Sequence, residues 1–189
     1  MIFTGEKIMG KDKDKLFYIL KQNAFFKERI TLSSGKESDY YIDARRVTLT
    51  SEGAYLCATV MLDMIKNDTC DAIGGPTLGA DPIIGALNVL SHQENSPLNT
   101  FIIRKSAKAH GRQQQIEGPL IPRGARVILI DDIATTGKAL LQSIDVLKEN
   151  GITAPKAVCI VDRGEGAKEA LAQKGCELVS IFTGDDFLK

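Results

Sequence analysis

The sequence has no tryptophan, only two histidines, and four cysteines that form no closely spaced pair. Zinc sites in proteins usually draw on clustered cysteine and histidine ligands, so this scarcity argues against a zinc centre. The cysteines are predicted to be buried, reduced thiols. They stand far apart along the chain, at Cys57, Cys70, Cys159 and Cys176.

An excess of charge of either sign is also missing, because 24 Lys and Arg balance 24 Asp and Glu. A dedicated nucleic-acid binder usually carries a basic excess, so no nucleic-acid partner is expected. No apolar run approaches the roughly 20 residues that a membrane span needs. The first residues, MIFTGEKIMGKDKDK, lack the basic-then-apolar order of a signal peptide. We therefore expect no membrane association and a cytoplasmic protein.

What the sequence does contain is the composition of an ordinary globular domain, with 43% hydrophobic and 25% charged residues in 189. This length is enough for one compact domain with a substantial core. Neither internal repeats nor low-complexity segments divide the chain. We therefore treat residues 1–189 as a single domain.

Apolar periodicity predicts an α/β fold with a parallel sheet covered by helices on both faces. Helices are expected at residues 13–24, 51–65, 79–90, 138–150 and 165–173, and strands at 30–32, 40–42, 71–75, 99–104, 126–130, 156–161 and 177–182. Ligands of such sheets bind beyond the carboxyl ends of the strands. The loops 75–81, 105–118, 131–137 and 162–166 each follow a strand and are expected at that edge.

The most informative stretch is VILIDDIAT at residues 127–135, followed by Thr136, Gly137 and Lys138. A strand that ends in two acids, Asp131 and Asp132, predicts a polar ligand, because like charges cannot share an apolar core unpartnered. The small, hydroxyl-bearing loop before a helix is suited to a phosphate. It is not a Walker A loop, because Asp132 stands where that motif requires glycine. The simpler alternative is an ordinary helix cap formed by an Asp and a Thr.

A second stretch, RKSAKAHGR at residues 104–112, concentrates positive charge without a single acid. It opens a segment, 105–125, that has no periodicity, and long irregular segments of this kind are often functional. A cationic lid over a polyanionic ligand fits this pattern. A solvated basic loop is the alternative.

Three further stretches are suggestive: GGPTLGADP at 74–82, VDR at 161–163, and TLSSGKESDYYID at 31–43. Glycines after a strand permit close approach of a ligand, although an ordinary turn explains them equally well. Arg163 at a strand end suits a carboxylate, with a surface ion pair as the alternative. Tyr40 and Tyr41 suit a flat ring, or they simply pack on the core.

Together these motifs resemble the type I phosphoribosyltransferases, and most closely the orotate-using branch of that family. VILIDDIATTG is similar to the family's ribose-phosphate signature. The other stretches occur in the order and spacing of the orotate-using members, and the resemblance runs from about residue 25 to 182. The basic loop discriminates most, because the purine-using relatives lack it.

The resemblance implies a type I phosphoribosyltransferase sheet with a small hood formed by about residues 1–45. It also implies Mg²⁺-dependent transfer of ribose 5-phosphate from phosphoribosyl pyrophosphate (PRPP) to orotate. The metal would be carried by PRPP, with no direct protein ligand. A homodimer is implied, because part of the lid loop reaches the neighbouring subunit's site in that family.

The resemblance also assigns roles to individual residues. Pyrophosphate would be held by Arg104, Lys105, Lys108 and His110, and the catalytic groups would be Lys105, Lys108, His110, Asp131 and Asp132. Asp131 and Asp132 would take the ribose hydroxyls. The PRPP site would continue through the phosphate loop, which is Ile133, Ala134, Thr135, Thr136, Gly137, Lys138 and Ala139. Orotate would be contacted by Thr135, Arg163, Tyr41 and Ile42.

Two positions depart from the pattern of some relatives, which carry lysine where this chain has Ser33 and Gly79. A charge-based role in holding pyrophosphate is therefore in doubt at both. Two other functions stay open: another type I phosphoribosyltransferase using a different base, or a nucleotide-sensing regulator with the same fold. The basic loop and Arg163 argue against the first, and the absence of a basic surface or an added DNA-binding segment argues against the second.

Overall fold

The computed structural model describes residues 5–31, 37–106 and 115–189. Its centre is a six-stranded sheet in the order β10-β9-β8-β5-β6-β7. The strands are β5 (Ala72–Pro76), β6 (Thr100–Ile103), β7 (Ile116–Glu117), β8 (Arg126–Ala134), β9 (Thr153–Asp162) and β10 (Glu177–Thr183). All neighbouring pairs are parallel except β6 and β7, which run antiparallel at one edge. The predicted parallel sheet is confirmed.

Seven helices surround this sheet within the described ranges: α1 (Gly5–Asn23), α2 (Arg45–Thr48), α3 (Ser51–Ile65), α4 (Asp81–Gln93), α5 (Lys138–Glu149), α6 (Ala167–Ala172) and α7 (Gly184–Leu188). All five predicted helices are present. Helix α3 begins after Thr50, whose side chain accepts a hydrogen bond from the Gly53 amide at 3.1 Å. That is an ordinary N-cap, and it fixes the first turn of the helix.

Two small antiparallel ladders precede α2. They pair β1 (Phe25–Phe26) with β4 (Tyr41–Ile42), and β2 (Ile30–Thr31) with β3 (Glu37–Ser38). Such short strands are stable only when they pack on a larger body. Here aromatic rings supply that packing: Phe25 lies 5.9 Å from Phe187 and 5.7 Å from Tyr40, centroid to centroid.

The prediction was wrong about where the central strand ends. It stopped the strand at residue 130, but β8 continues through both aspartates to Ala134, which pairs with Asp162 of β9. The two aspartates were taken as the end of the strand because they are charged, whereas the hydrogen-bonded pairing of β8 with β9 continues past them. The edge strand β7 was also missed, because two residues carry no periodicity.

The hydrophobic core lies on both faces of the sheet. One face packs against α1, α3, α4 and α7 through residues such as Leu20, Met61 and Phe187. The other packs against α5 and α6 through residues such as Leu140 and Leu171. The predicted burial of Cys57, Cys159 and Cys176 is confirmed, while Cys70 is half-buried, and all four thiols are unpaired.

No helix in the described ranges has both the length and the apolar character needed to cross a bilayer. The expected cytoplasmic location stays a prediction.

Candidate active site

A cleft of about 510 Å³ opens at the carboxyl ends of β5, β6, β8 and β9. This is the edge at which the sequence placed its candidate loops, because parallel strands end on the same side of the sheet. Part of the segment between β1 and α2 forms the wall opposite the sheet. The predicted site residues that line the cleft are Tyr41, Ile42, Lys105, Asp131, Asp132, Ile133, Thr135, Ala139 and Arg163.

Asp131 and Asp132 are held by the strand that carries them. Asp131 Oδ1 accepts a hydrogen bond from the Asp132 amide at 2.9 Å, and Asp132 Oδ1 accepts one from the Ile133 amide at 2.7 Å. Only 7% of Asp131 is exposed. These bonds fix both carboxylates and leave their other oxygens available to accept hydrogen bonds from a ligand.

Burial raises the pKa of Asp131 well above its usual value, and the negative charge of Asp132 raises it further. Burial also raises the pKa of Asp132, although its hydrogen bond from Ile133 and the positive charge of Arg45 oppose that shift. Asp131 is thus the acid that keeps its proton more readily. Donors from a ligand, such as hydroxyl groups, would stabilise the charged forms of both.

The loop after Ala134 leads into α5 through Gly137, which adopts a left-handed φ of 74°. A Cβ at this position would also lie 2.5 Å from Leu171 Cδ1, so only glycine fits without rearrangement. No side chain caps α5, so the cap formed by an Asp and a Thr, which was the alternative reading, does not occur. The first backbone N–H groups of this helix have no partner within the helix, and they suit an anion.

The glycine loop after β5 closes another side of the cleft. Its Thr77 hydroxyl donates to Asp81 Oδ2 at 2.7 Å, and the Thr77–Leu78 peptide bond is cis. A Cβ at Gly79 would lie 2.3 Å from Asp132 Oδ1, so in this structure the carboxylate occupies the space that a side chain at position 79 would need. The residues of this loop that line the cleft, 76–79, are all uncharged.

Arg163 is buried, and its side chain is only 3% exposed. Its guanidinium lies 4.4 Å from the centre of the Tyr40 ring, donates to Ser38 Oγ at 2.7 Å, and places Nε 3.0 Å from Glu165 Oε1. The alternative of a surface ion pair is therefore wrong, because the Arg163 side chain is buried and Glu165 is only partly exposed. A buried arginine fixed on several sides is pre-organised for a carboxylate.

The basic loop is only partly described. Lys105 lines the cleft, whereas Arg104 lies outside its lining and pairs with Glu117 Oε1 of β7 at 3.6 Å. Lys108 and His110 fall outside the described residues, as does Ser33. The lid itself therefore stays a prediction.

Five further phosphate-site and lid residues do not line the cleft directly. Ala134 is buried beneath the loop, with Thr136, Gly137 and Lys138 following it, and Arg104 faces β7. Two charged residues of this site, Arg45 and Glu165, were not predicted from the sequence. Each has a sequence signal: Arg45 opens the Arg-Arg pair after the tyrosine strand, and Glu165 follows Arg163 by two residues.

Comparison with known proteins adds an independent finding. The sequence model of the phosphoribosyl transferase domain matches residues 64–182. The orotate phosphoribosyltransferase of Nostoc sp. is 40% identical over 169 residues, which cover 89% of this chain and 82% of that enzyme.

Solved structures agree. The Mycobacterium tuberculosis H37Rv orotate phosphoribosyltransferase in complex with Fe(III) dicitrate superposes with a TM-score of 0.80 at 35% identity, covering 93% of this chain and 98% of that one. The same enzyme in complex with PRPP superposes with a TM-score of 0.77 at 30% identity, covering 94% and 99%.

Proposed function

Because the chain belongs to the orotate phosphoribosyltransferases, we propose that the cleft at the sheet edge is where it joins PRPP to orotate. The reaction transfers the 5-phosphoribosyl group to a ring nitrogen of orotate and gives orotidine 5′-monophosphate and pyrophosphate. One observation carries the assignment of the site. A single cleft contains the two fixed acids of β8, the phosphate-type loop behind them, and the buried Arg163.

The PRPP half of the site is the β8–α5 junction. Asp131 and Asp132 accept hydrogen bonds from the two ribose hydroxyls, which are the donors that buried carboxylates require. The loop from Ala134 to Ala139 binds the 5-phosphate through its backbone N–H groups and the hydroxyls of Thr135 and Thr136. Ile133 and Lys138 complete this stretch.

The orotate half lies on the opposite wall. Arg163 binds the orotate carboxylate, and its contacts with Glu165, Ser38 and Tyr40 hold the guanidinium in place before the ligand arrives. Tyr41 and Ile42 lie along the ring, and Thr135 contacts it from the phosphate side. Orotate is thereby fixed beside the anomeric carbon.

Catalysis in this arrangement depends on stabilising charge. As the bond from the anomeric carbon to pyrophosphate breaks, positive charge grows on the ribose and negative charge on the leaving group. We assign Lys105 to the leaving group, together with Lys108, His110 and Arg104. Cations already in place act most strongly where water is excluded.

Mg²⁺ fits this site as a partner of PRPP, where it would supply charge neutralisation on the pyrophosphate. Among the described residues, no group of three or more His, Cys, Asp or Glu side chains could hold a metal ion. The cleft does offer two fixed carboxylates to the water shell of a metal that PRPP carries. We propose that PRPP carries the metal, as the resemblance implies, with no direct protein ligand.

We further propose a homodimer in which the lid is shared between subunits. The position of Arg104 supports this proposal. Its guanidinium pairs with Glu117, and its side chain does not line the cleft of its own chain. We also propose one catalytic domain, 1–189, in which about residues 1–45 form the hood over the orotate half.

The test is to mix the protein with orotate, PRPP and Mg²⁺ and to follow the loss of orotate absorbance. Uracil, hypoxanthine and adenine serve as parallel bases. We expect turnover with orotate alone. Turnover with another base, or tight PRPP binding without turnover of any base, would contradict the assignment.

A further inference from the structure

One charged residue of the cleft, Arg45, has no role in the reaction proposed for this site. Within the described residues, three cationic side chains line the cleft: Arg45, Lys105 and Arg163. Arg163 is committed to Glu165 and the orotate half. The glycine loop brings only uncharged residues to the cleft. The wall formed by α2 therefore supplies a cation that the assigned roles leave unused.

Arg45 is held by one edge only. Its Nε donates to Asp43 Oδ1 at 3.0 Å, and this is the one hydrogen bond that its guanidinium makes in the described part of the chain. The side chain is 41% exposed. A guanidinium carries five N–H donors in a planar fork, so its outer edge is free to bind a second group. Asp43 thus orients the fork without occupying it.

Arg45 also lies within electrostatic reach of the ribose-binding acids. Its positive charge lowers the pKa of Asp132, against the raising effect of burial. Gly79 lies against the same carboxylate, since a Cβ there would lie 2.3 Å from Asp132 Oδ1. Since position 79 is glycine in this chain, the glycine loop brings no cation to Asp132. The positive charge that acts on Asp132 is thus provided by Arg45 of α2.

The chemistry of PRPP decides which group Arg45 meets. The pyrophosphate is attached to C1 of the ribose, next to the hydroxyl on C2, whereas the 5-phosphate lies at the far end of the sugar. If Asp132 accepts from a ribose hydroxyl and residues 134–139 hold the 5-phosphate, the cation beside Asp132 faces the C1 end. Arginine is well matched to phosphate oxygens, which it can bind through two parallel N–H groups.

We propose that Arg45, oriented by Asp43, is a binding residue for the pyrophosphate group of PRPP. This inference rests on the proposed function, because it takes the ribose hydroxyls to lie at Asp131 and Asp132. In this proposal α2 supplies the positive charge for pyrophosphate that the glycine loop of this chain lacks.

The experiment compares Arg45→Gln, Arg45→Lys and the wild type, with Arg46→Gln as the matched control. Arg46 is the next residue of the same helix, but it is exposed, lies over the Phe26 ring at 4.9 Å and does not line the cleft. Calorimetry measures the binding of pyrophosphate with Mg²⁺ and, separately, of ribose 5-phosphate. Steady-state assays give KM for PRPP and for orotate.

We expect Arg45→Gln to weaken pyrophosphate binding about 10- to 100-fold, the usual worth of hydrogen bonds to a charged group. Ribose 5-phosphate binding and the KM for orotate should change less than about twofold, which is within ordinary variation for a group that is not contacted. Arg45→Lys should restore part of the loss, because it keeps the charge but not the fork. Arg46→Gln should match the wild type.

Equal loss of pyrophosphate and ribose 5-phosphate would overturn the proposal, because Arg45 would then act only by supporting Asp132. Pyrophosphate binding equal to that of the wild type would overturn it as well. A wild-type protein that makes no orotidine 5′-monophosphate would contradict the proposed function instead, so the two failures are distinguishable. Circular dichroism of each variant confirms folding, and Arg45→Lys tests the site if Arg45→Gln unfolds.

Discussion

The two walls of the cleft are built in different ways. The proposed PRPP wall is one continuous stretch, residues 131–139, which runs from the middle of a buried sheet into the first turn of α5. The orotate wall is assembled from distant segments, since Arg163 donates to Ser38, which is 125 residues away in the chain. A short ladder and aromatic contacts hold the second wall, whereas a nine-residue strand paired on both sides holds the first.

This difference shows how the site divides its tasks. The PRPP wall places its acids by backbone geometry, so their positions depend on the main sheet. The orotate wall places Arg163 by side-chain contacts, so its position depends on the hood segment. Substitutions in the first wall should therefore affect chemistry without loss of the fold, and substitutions in the second should act mainly on orotate affinity.

The largest effect is expected from the double substitution Asp131→Asn with Asp132→Asn. It removes both charged acceptors of the ribose hydroxyls, and hydrogen bonds to charged groups contribute about 1.5–3 kcal/mol each. Turnover should fall by at least about a hundredfold. Circular dichroism should show the wild-type fold, and Asp14→Asn on the exposed face of α1 serves as the control. Activity close to that of the wild type would contradict the role of the pair.

The next effect concerns Lys105, the described part of the lid. Lys105→Ala should lower kcat by about 10- to 100-fold, because charge on the leaving pyrophosphate grows in the transition state. Orotate binding should weaken much less. Steady-state kinetics and orotate titration separate the two quantities, with Lys148→Ala at the exposed end of α5 as the control. The reverse pattern would argue against a leaving-group role.

The orotate wall is tested by Arg163→Lys. Lysine keeps the charge but cannot form the fork to a carboxylate or reproduce the stacking on Tyr40. We expect the KM for orotate to rise about 10-fold, the cost of one weakened charged hydrogen bond, while the KM for PRPP changes little. If both constants rose together, Arg163 would serve the whole cleft and the division between the walls would be wrong.

The smallest effect is one of stability and concerns Asp131 alone. The pKa of its carboxyl is raised in the folded protein, mainly by burial. Below its unfolded pKa of about 3.9 the carboxyl is protonated in both the folded and the unfolded state, so its burial costs no charge-related stability. As pH rises from there through the folded pKa, the unfolded state binds fewer protons and the folded state loses stability.

Asp131→Asn should therefore raise the melting temperature of the ligand-free protein at neutral pH. A gain of about 2–4 °C is expected for each kcal/mol that is relieved. The asparagine oxygen can still accept from the Asp132 amide, so the local hydrogen bond is kept. The gain should disappear near pH 4, and thermal melts across this range measure it. A variant that is less stable at neutral pH would show that Asp131 stabilises the fold.

The sequence identified the stretch that forms the first wall because the signal of that stretch is local. An apolar run, two acids and a small loop stand next to one another, and only the continuation of β8 past Ile130 was misjudged. The parallel sheet and all five predicted helices were also recovered, because burial on both faces of the strands leaves apolar runs.

The orotate wall was recovered only in part, for a physical reason. Arg163 and Tyr41 were identified, but the burial of Arg163 against Ser38 and Tyr40 depends on contacts between segments that are remote in the chain. The position of Arg45 in the neighbouring α2 wall of the cleft was likewise visible only in the structure. The structure also gives a reason for the glycine at position 79 that the sequence does not show. The Asp132 carboxylate occupies the space that a side chain at position 79 would need. Spacing in the sequence carries no information of this kind.

The most direct test of a cleft with two separate walls is a crystal structure with bound orotidine 5′-monophosphate. This ligand carries a phosphate and ribose for one wall and a carboxylate for the other. We predict its phosphate on the backbone of residues 134–139, its ribose hydroxyls within hydrogen-bonding distance of Asp131 and Asp132, and its carboxylate on Arg163. A ligand bound with the carboxylate on the phosphate loop, or away from the β8 acids, would contradict the account.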